Sequence, residues 1–334
     1  GILFAILISV TFGFAFNSVQ SNTICAAMQG SFGFDPRIVG AVLTVLTLAI
    51  IFGGIQRIAK VSSVIVPVMA LGYVALASGI VLFNITELPA VIKLIVSSAF
   101  GWEQAAGGTI GAALMQGIKR GLFSNEAGMG SAPNVAATAH VSHPVKQGLI
   151  QTLGVFTDTL VICTCTALLI LLSGFYTPGF EGDGIALTQN SLAAVVGEWG
   201  RVFISVALAL FVFTSMLYNY YLGENNLRFL VGESRKALIG YRVLVLVLIF
   251  WGSIENLQTV FAFADIAMTM LAFVNLVALA MLFKICMRVL KDYDDQRRAG
   301  IKTPVFDSSK FPDLDLDLKA WPPKPAAQVD ETKR

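Results

Sequence analysis

The sequence predicts an all-α polytopic membrane protein, because it carries few charges and its apolar residues gather in segments of helix length. Of its 334 residues, 56% are hydrophobic and only 13% are charged, whereas about a quarter of the residues in a soluble domain carry a charge. A helix needs about 20 mostly apolar residues to cross a bilayer. The chain offers eight candidate spans of that kind, at 2–28, 38–55, 62–84, 104–122 with a broken continuation to about 139, 147–173, 200–222, 238–254 and 259–287. The stretch 87–99 is too short to cross and fits an interfacial helix.

The basic residues near the ends of these spans predict the orientation of the chain. Alternate loops hold most of them, namely Arg57 and Lys60, then Lys146, then Arg228, Arg235, Lys236 and Arg242, and finally Lys284, Arg288, Lys291, Arg297 and Arg298. The intervening loops hold only Arg37, Lys93 and Arg201. Because cytoplasmic loops carry an excess of Lys and Arg, we expect the C-terminus in the cytoplasm. We divide the chain into a transmembrane domain, 1–290, and a polar cytoplasmic tail, 291–334, expected to be disordered from residue 299 onward.

Composition argues against several other classes of protein. A net charge of +2 and only two histidines offer no basic stripe for nucleic acid. The four cysteines lie in or next to apolar segments, so we expect no disulfide framework. Cys163 and Cys165 are not expected to form a metal site with His140 and His143, because cysteines two residues apart point to different faces of a helix. We expect no cofactor. The chain begins with Gly1 inside an apolar run, which predicts that it is part of a longer protein.

One segment, GLFSNEAGMGSAP at 121–133, interrupts an apolar region with glycines, a proline and a carboxylate. Glycine lowers helix stability, and proline lacks a backbone donor. The segment is either a plain loop or the unwound part of one discontinuous helix that continues to His140. We favour the discontinuous helix, because the apolar residues before Lys119 are barely enough to span and a loop leaves 132–139 without a role. Inside a membrane, such a break is tolerated only where protein or a water-filled cavity faces it, as in secondary transporters.

The break and its surroundings resemble a known family. The stretches concerned are GIKRGLFSNEAGMGSAPNVAATA with the following HPVKQGLIQTLGVFTDTLVICTCTALLILLSG, FGFAFNSVQSNTI at 12–24, IFGGIQRIAKVSSVIVP at 51–67 and FTSMLYNYYLGE at 213–224. Together they resemble the alanine or glycine:cation symporter family, from residue 1 to about 290. The SNEAGMGSAP block is specific enough that chance is a poor explanation.

The resemblance implies a leucine-transporter-type fold, which is built from two inverted repeats of five helices. It also implies inward transport of small neutral amino acids, chiefly alanine and glycine, with sodium or sometimes protons. Members lie in the plasma (inner) membrane of bacteria and archaea and have a cytoplasmic C-terminus. Three spans of the family pattern would precede Gly1, including the broken helix of the first repeat. The chain is therefore expected to be N-terminally truncated, with about eight spans and one discontinuous helix, and to be unable to transport alone.

The resemblance places the break against the substrate. Phe123 would cover the amino acid, while Ser124 and Asn125 would supply polar contacts or else cap the break locally. An ionisable residue at membrane depth is a functional candidate by default, so Glu126 either joins the substrate site or pairs with Arg120.

The first span adds a further substrate candidate. The family match points to Gln20 as a substrate contact. Asn17 and Asn22 interrupt the same apolar helix and are expected to form helix–helix hydrogen bonds.

Two further groups are candidates for the cation. Hard cations prefer oxygen ligands, and the shared fold implies a sodium site at the carbonyl of Phe211 and the hydroxyls of Thr214 and Ser215. The alternative is that both hydroxyls bond carbonyls of their own helix. Asp158 would hold a second cation or titrate with a proton, unless neighbouring threonines and an amide cap it. In the last span, Asp265 and Asn275 are likewise either part of a cation or proton site or structural.

We therefore predict a secondary active transporter, not an enzyme, that couples sodium to a small neutral amino acid by alternating access. A proton-coupled transporter of the same fold is the main alternative, and a channel is a weaker one. An intramembrane enzyme using Ser124 or Glu126 with His140 is disfavoured, because Ser124 and His140 are sixteen residues apart, on opposite sides of the break. The sequence leaves open the choice among alanine, glycine and serine, the enantiomer, the stoichiometry and the oligomeric state.

Overall fold

The structure is a computed structural model that describes residues 1–52, 54–100, 108–177, 184–321 and 323. Within them the chain is helical and has no strand, as the sequence predicts. The helices are α1 (Ile2–Phe32), α2 (Pro36–Ile51), α3 (Gly54–Phe83), α4 (Leu88–Phe100), α5 (Gly108–Asn125), α6 (Ser131–Ala136), α7 (Pro144–Leu172), α8 (Gly184–Val196), α9 (Glu198–Val231), α10 (Arg235–Ile254) and α11 (Leu257–Arg298), followed by a 3₁₀ turn at Ser308–Lys310.

Six of the described helices are long and apolar enough to cross a membrane, which agrees with a multi-pass membrane protein. They are α1, residues 63–83 of α3, α7, α9, α10 and α11. The predicted span 38–55 corresponds to the shorter α2, and the span from 104 corresponds to α5 and α6, so the count of eight stays a prediction. The predicted interfacial helix is α4, whereas the 13-residue apolar α8 was not predicted. Residues 104–107, the side chains of Arg57 and Lys60, and residues 324–334 lie outside the described part.

The sequence between α1 and α2 shows why helices end where they do. Gly33 ends α1 in the left-handed conformation, with φ of 67°, which glycine adopts without steric cost. Asp35 then caps α2, its side chain accepting a hydrogen bond from the backbone N–H of Arg37 at 2.8 Å. Pro36 occupies the first turn of α2, where its missing donor costs nothing.

The described chain forms two compact units, of which the first comprises Gly1–Ser131 and Phe156–Leu276. In this unit α1, α9 and α10 approach closely at glycines. A Cβ on Gly13 or on Gly223 would lie within 2 Å of the Tyr241 hydroxyl, and one on Gly252 would lie 2.5 Å from the Ser18 carbonyl. Small residues at such crossings let helices pack tightly in a membrane.

The second unit comprises Ala132–Val155 and Val277–Arg334, and within it the expectation of a disordered tail from residue 299 is wrong for the described residues up to 321. Phe306 and Phe311 are only 6% and 5% exposed. Their rings stack at 5.2 Å, and Trp321 meets Phe306 edge-on. Arg288 of α11 binds Asp313 through two bonds of 2.6 and 2.8 Å. The aromatic side chains supply the apolar area that a polar tail lacks, and this orders the segment.

The fully buried His143 joins this ordered segment to the start of α7. Its Nδ1 atom accepts from the backbone N–H of Val145 at 3.2 Å, and its Nε2 atom faces Asp292 at 3.4 Å. Tyr293 and Phe306 pack against the ring. Because Nδ1 is an acceptor here, the fold favours the neutral imidazole.

The contact at Gly252 yields a first prediction. Gly252→Ala forces α10 away from α1 because the new Cβ meets backbone atoms of Ser18, and we expect it to lower the free energy of unfolding by about 1–3 kcal/mol. Gly240→Ala on the same helix meets no atom within 4 Å and should leave stability unchanged or raise it. Thermal unfolding in detergent checks the pair, and equal effects of the two variants would contradict the close approach.

His143 yields a second prediction, on pH. Burial lowers the pKa of His143 below its ordinary value of 6.5, so the unfolded segment binds a proton more readily than the folded one. The stability of this contact is therefore complete above about pH 6.5 and falls as the pH drops below that value. Hydrogen exchange at residues 302–321, corrected for intrinsic rates, should show less protection at pH 5.5 than at pH 7.5. His143→Gln should abolish this difference and His140→Gln should keep it; a difference that survives His143→Gln assigns the effect to another group.

Candidate functional site

The break between α5 and α6 contains three alternate residues whose backbone conformation a right-handed helix does not allow. Glu126, Gly128 and Gly130 have positive φ angles of 49°, 75° and 79°. At Gly130 a Cβ would lie 2.6 Å from the side-chain oxygen of Asn275 and 2.7 Å from Phe4, so only glycine fits. The side-chain amide of Asn275 donates to the freed carbonyl of Gly128 at 2.8 Å. The interruption predicted at 121–133 is therefore present, and its backbone is held by α11.

Five aromatic rings, which we call the aromatic cluster, surround the end of α5. They are Phe12 and Phe16 of α1, Phe123 of α5, Tyr218 of α9 and Phe261 of α11. Phe123 lies 5.0 Å from Phe16 and 5.9 Å from Phe261 between ring centroids. Phe12 meets Phe16 at 4.9 Å and Tyr218 edge-on at 6.4 Å. The predicted substrate-covering residue thus lies in a layer of rings from three other helices.

Two π-helical segments lie beside the break, at Thr11–Phe16 in α1 and at Thr157–Cys163 in α7. Such wide turns are rare and occur often at functional sites. The first segment carries Phe12 and Phe16 of the aromatic cluster, and the second carries Asp158 and Thr159. Neither π segment was predicted.

The last two residues of α5 are bonded to the second π segment. The Ser124 hydroxyl donates to the Asp158 carboxylate at 2.7 Å. The Asn125 amide donates to the Thr159 hydroxyl at 2.9 Å and also to the Gly121 carbonyl at 3.3 Å. The structure therefore brings three predicted residues together, Ser124, Asn125 and Asp158, and gives Asn125 part of the capping role that was its alternative. The Asp158 carboxylate accepts from Ser124 of α5, and its role with a cation or a proton stays a prediction.

Glu126 does not pair with Arg120, which was its alternative role. Its Oε2 atom accepts hydrogen bonds from the Ser131 hydroxyl and, at 3.0 Å, from the Tyr218 hydroxyl. The Arg120 guanidinium instead lies 5.3 Å from the centre of the Phe261 ring. The Arg120 side chain is thus engaged with the Phe261 ring, whereas Glu126 lies just beyond the end of α5 in a left-handed turn.

Asp265 and Lys119 form an ion pair between α11 and α5. This pair gives Asp265 of the last span a structural partner, and the second residue questioned there, Asn275, binds the break as described above. Sequence reasoning had left both roles open.

The amides of the first span behave differently from one another. Asn22 forms the expected helix–helix bonds, donating to the carbonyls of Gly252 and Glu255 at 3.0 and 2.6 Å. Asn17 donates within its own helix, to Gly13 at 3.1 Å, so the expected interhelical bond is wrong for the described residues. Gln20 lies one turn after Phe16, on the same face of α1, and is partly buried.

The candidate cation ligands on α9 gather at one carbonyl. The hydroxyls of Thr214 and Ser215 both donate to the Phe211 carbonyl, at 2.8 and 3.1 Å. This is the within-helix bonding that sequence reasoning left as the alternative, and it also assembles three oxygens within one turn. Both roles use the same geometry, so the cation role stays a prediction.

Sequence reasoning missed Tyr218 and Ser131, the two donors to Glu126. Tyr218 stands in the FTSMLYNYYLGE stretch only three residues after Ser215, on the same helix face. That spacing was the available signal. The sequence alone could not show that Tyr218 pairs with Glu126, because the two residues are 92 positions apart.

Comparison with known proteins identifies the family. The profile described as "Sodium:alanine symporter family" matches residues 1–308. The probable sodium/glutamine symporter GlnT of Bacillus subtilis is 52% identical over 92% of this chain and 63% of its own length. The amino-acid carrier protein AlsT of the same organism is 50% identical over 96% and 68%. The sodium/alanine symporter AgcS of Methanococcus maripaludis is 36% identical over 86% and 63%.

The chain thus spans about two thirds of the length of these curated relatives, between 63% and 68%. Its match to the profile includes the break, the aromatic cluster, both π segments and the α9 oxygens. On these grounds the chain belongs to the sodium:alanine symporter family, a family of transporters.

Proposed function

We propose that the protein containing this chain is a sodium-coupled symporter of a small neutral amino acid, working by alternating access in the plasma (inner) membrane. The observation that carries the proposal is the break at 126–130, which lies beside the aromatic cluster and beside polar oxygen atoms. The chain that contains it belongs to a family of transporters. A broken helix with a polar centre is typical of transporters that bind solute near the middle of the membrane. The leucine-transporter-type fold of inverted repeats, with a cytoplasmic C-terminus, belongs to the same proposal.

The substrate would bind against the end of α5. Phe123 would cover its small side chain, and Gln20 would face it from α1, one turn from Phe16. Ser124 and Asn125 would contribute polar contacts, although their bonds to α7 tie them to the backbone frame as well. Glu126 would act at the edge of the site, since its carboxylate is directed towards Tyr218 and Ser131.

The cation would bind on α9 at the Phe211 carbonyl with the hydroxyls of Thr214 and Ser215. Neutral oxygens hold sodium without leaving an uncompensated charge when it departs. Asp158 is the second candidate, because its carboxylate already accepts from Ser124. The inward sodium gradient supplies the free energy, and each charge crossing 100 mV adds about 2.3 kcal/mol.

Alanine and glycine are the proposed substrates, although two relatives are named for different amino acids, glutamine for GlnT and alanine for AgcS. A proton in place of sodium is the alternative. The observation that favours it is the Glu126 carboxylate, whose hydrogen-bond partners among the described residues are neutral hydroxyls.

Uptake of labelled alanine tests the function. The natural polypeptide that contains this sequence is placed in proteoliposomes with sodium outside, or with potassium replacing it. A tenfold sodium gradient with one ion per substrate stores about 1.4 kcal/mol, so accumulation of about tenfold is expected. If alanine accumulation follows an imposed pH gradient instead of the sodium gradient, protons are the coupling ion. If no alanine uptake occurs under either gradient, alanine is not the substrate.

The α9 oxygens yield a separate prediction. Thr214→Ala removes one cation ligand and is expected to weaken apparent sodium affinity about tenfold, or about 1.4 kcal/mol, with uptake recovered at high sodium. Thr44→Ala is the matched control, because Thr44 also donates to a carbonyl of its own helix, at 2.8 Å, and lies in α2. Unchanged sodium affinity in Thr214→Ala together with reduced affinity in Asp158→Asn would place the cation at Asp158.

A further inference from the structure

A single carboxylate oxygen joins the break to α9. Oε2 of Glu126 accepts from the hydroxyl of Tyr218 at 3.0 Å and from the hydroxyl of Ser131, the first residue of α6. The Tyr218 ring is held in place by its edge-on contact with Phe12. Removing the Tyr218 hydroxyl would therefore cut this hydrogen bond between α9 and the break while leaving the ring contacts intact.

The left-handed backbone conformation of Glu126 indicates that its side-chain contact with Tyr218 is functional. Glu126 is the only non-glycine residue with a positive φ in the described part of the chain, and glycines occupy the two other left-handed positions of the break. A glycine at 126 would adopt this conformation without strain. Strained residues persist where the surroundings hold them and gather at functional sites. The side chain of Glu126, and hence its bonds to Tyr218 and Ser131, is the feature that a glycine would not provide.

The charged groups nearby are engaged elsewhere. Lys119 pairs with Asp265, Arg120 lies over Phe261, and Asp158 accepts from Ser124. Glu126 forms no ion pair with any described residue, so its tie to α9 consists of the hydrogen bond from Tyr218.

Tyr218 also shares a helix face with the candidate cation ligands. It follows Thr214 by four residues and Ser215 by three, the spacings that bring side chains together on a helix. Adjacent turns of α9 therefore carry the cation oxygens and the bond to the substrate-binding break.

We propose that Tyr218 is a positioning residue that links the two sites: occupancy of the cation oxygens on α9 is transmitted to the break through the Tyr218–Glu126 hydrogen bond. Tyr218 itself contacts neither the cation nor the amino acid. The inference rests on the proposed sodium symport and adds the element that couples its two ligands. Thermodynamic linkage then requires that sodium raise alanine affinity and alanine raise sodium affinity by the same factor.

The test measures that factor. Alanine binding to the purified natural polypeptide is measured at low and at saturating sodium, and sodium binding with and without alanine. Couplings of this kind are about 5- to 150-fold. In Tyr218→Phe we expect the factor to fall towards one in both directions, while each ligand binds alone as in the unmodified protein. Tyr221→Phe is the matched control on the same helix, because Tyr221 packs against the hydrophobic cluster of α1, α2, α9 and α10 residues instead, and it should keep the full factor.

The outcomes separate this inference from the proposed function. Unmodified protein whose alanine binding ignores sodium would reject the symport itself. A full linkage factor in Tyr218→Phe, or an equal loss in Tyr221→Phe, would overturn the role of Tyr218 while leaving symport in place. If Tyr218→Phe does not fold, Ser131→Ala decides, since it removes the other donor to Glu126 and leaves the Tyr218–Glu126 hydrogen bond in place. Retained linkage supports the hydrogen bond as the connection, and lost linkage overturns it.

Discussion

A helix interrupted inside a membrane must find partners for its freed backbone groups, because no water is present to satisfy them and each unpaired group costs several kcal/mol. The surroundings of residues 126–130 meet this demand. Asn275 binds the Gly128 carbonyl, and the N–H of Ala127 reaches the Leu122 carbonyl at 3.2 Å. The hydroxyls of Ser131 and Tyr218 meet the Glu126 side chain. Polar side chains of α9 and α11 therefore form hydrogen bonds to the break and hold it in place.

Close helix packing makes this arrangement possible. Gly13, Gly223 and Gly252 let α1, α9 and α10 approach until the Tyr241 hydroxyl lies between two of them and donates to the Ser9 carbonyl at 2.9 Å. The same α1 carries Phe12 and Phe16 on a π-helical turn, and the same α9 carries Tyr218. The rigid contact between these helices thus fixes where the aromatic cluster meets the end of α5.

Much of the architecture could be predicted because it depends on local composition. Apolar runs located the long helices, and the glycines and Pro133 located the break. Predictions failed where the partner was distant in the chain. Arg120 is near Glu126 in sequence but is directed at Phe261 by its position on α5. The tail from residue 299 is polar on average, yet Phe306, Phe311 and Trp321 meet one another and order it. The α8 helix was missed because a short apolar run gives a weak signal.

Composition and motif alone were enough to predict a helical membrane protein with an interruption at 121–133, and to indicate the residues around that interruption and the family. These conclusions follow from hydrophobicity, backbone propensity and motif, which are properties of neighbouring residues. The packing of the helices was needed to show that Ser124 contacts Asp158, that Glu126 contacts Tyr218 and that two π-helical segments lie beside the break. Those contacts join residues that are 34 and 92 positions apart, and their geometry is set by how whole helices pack against one another.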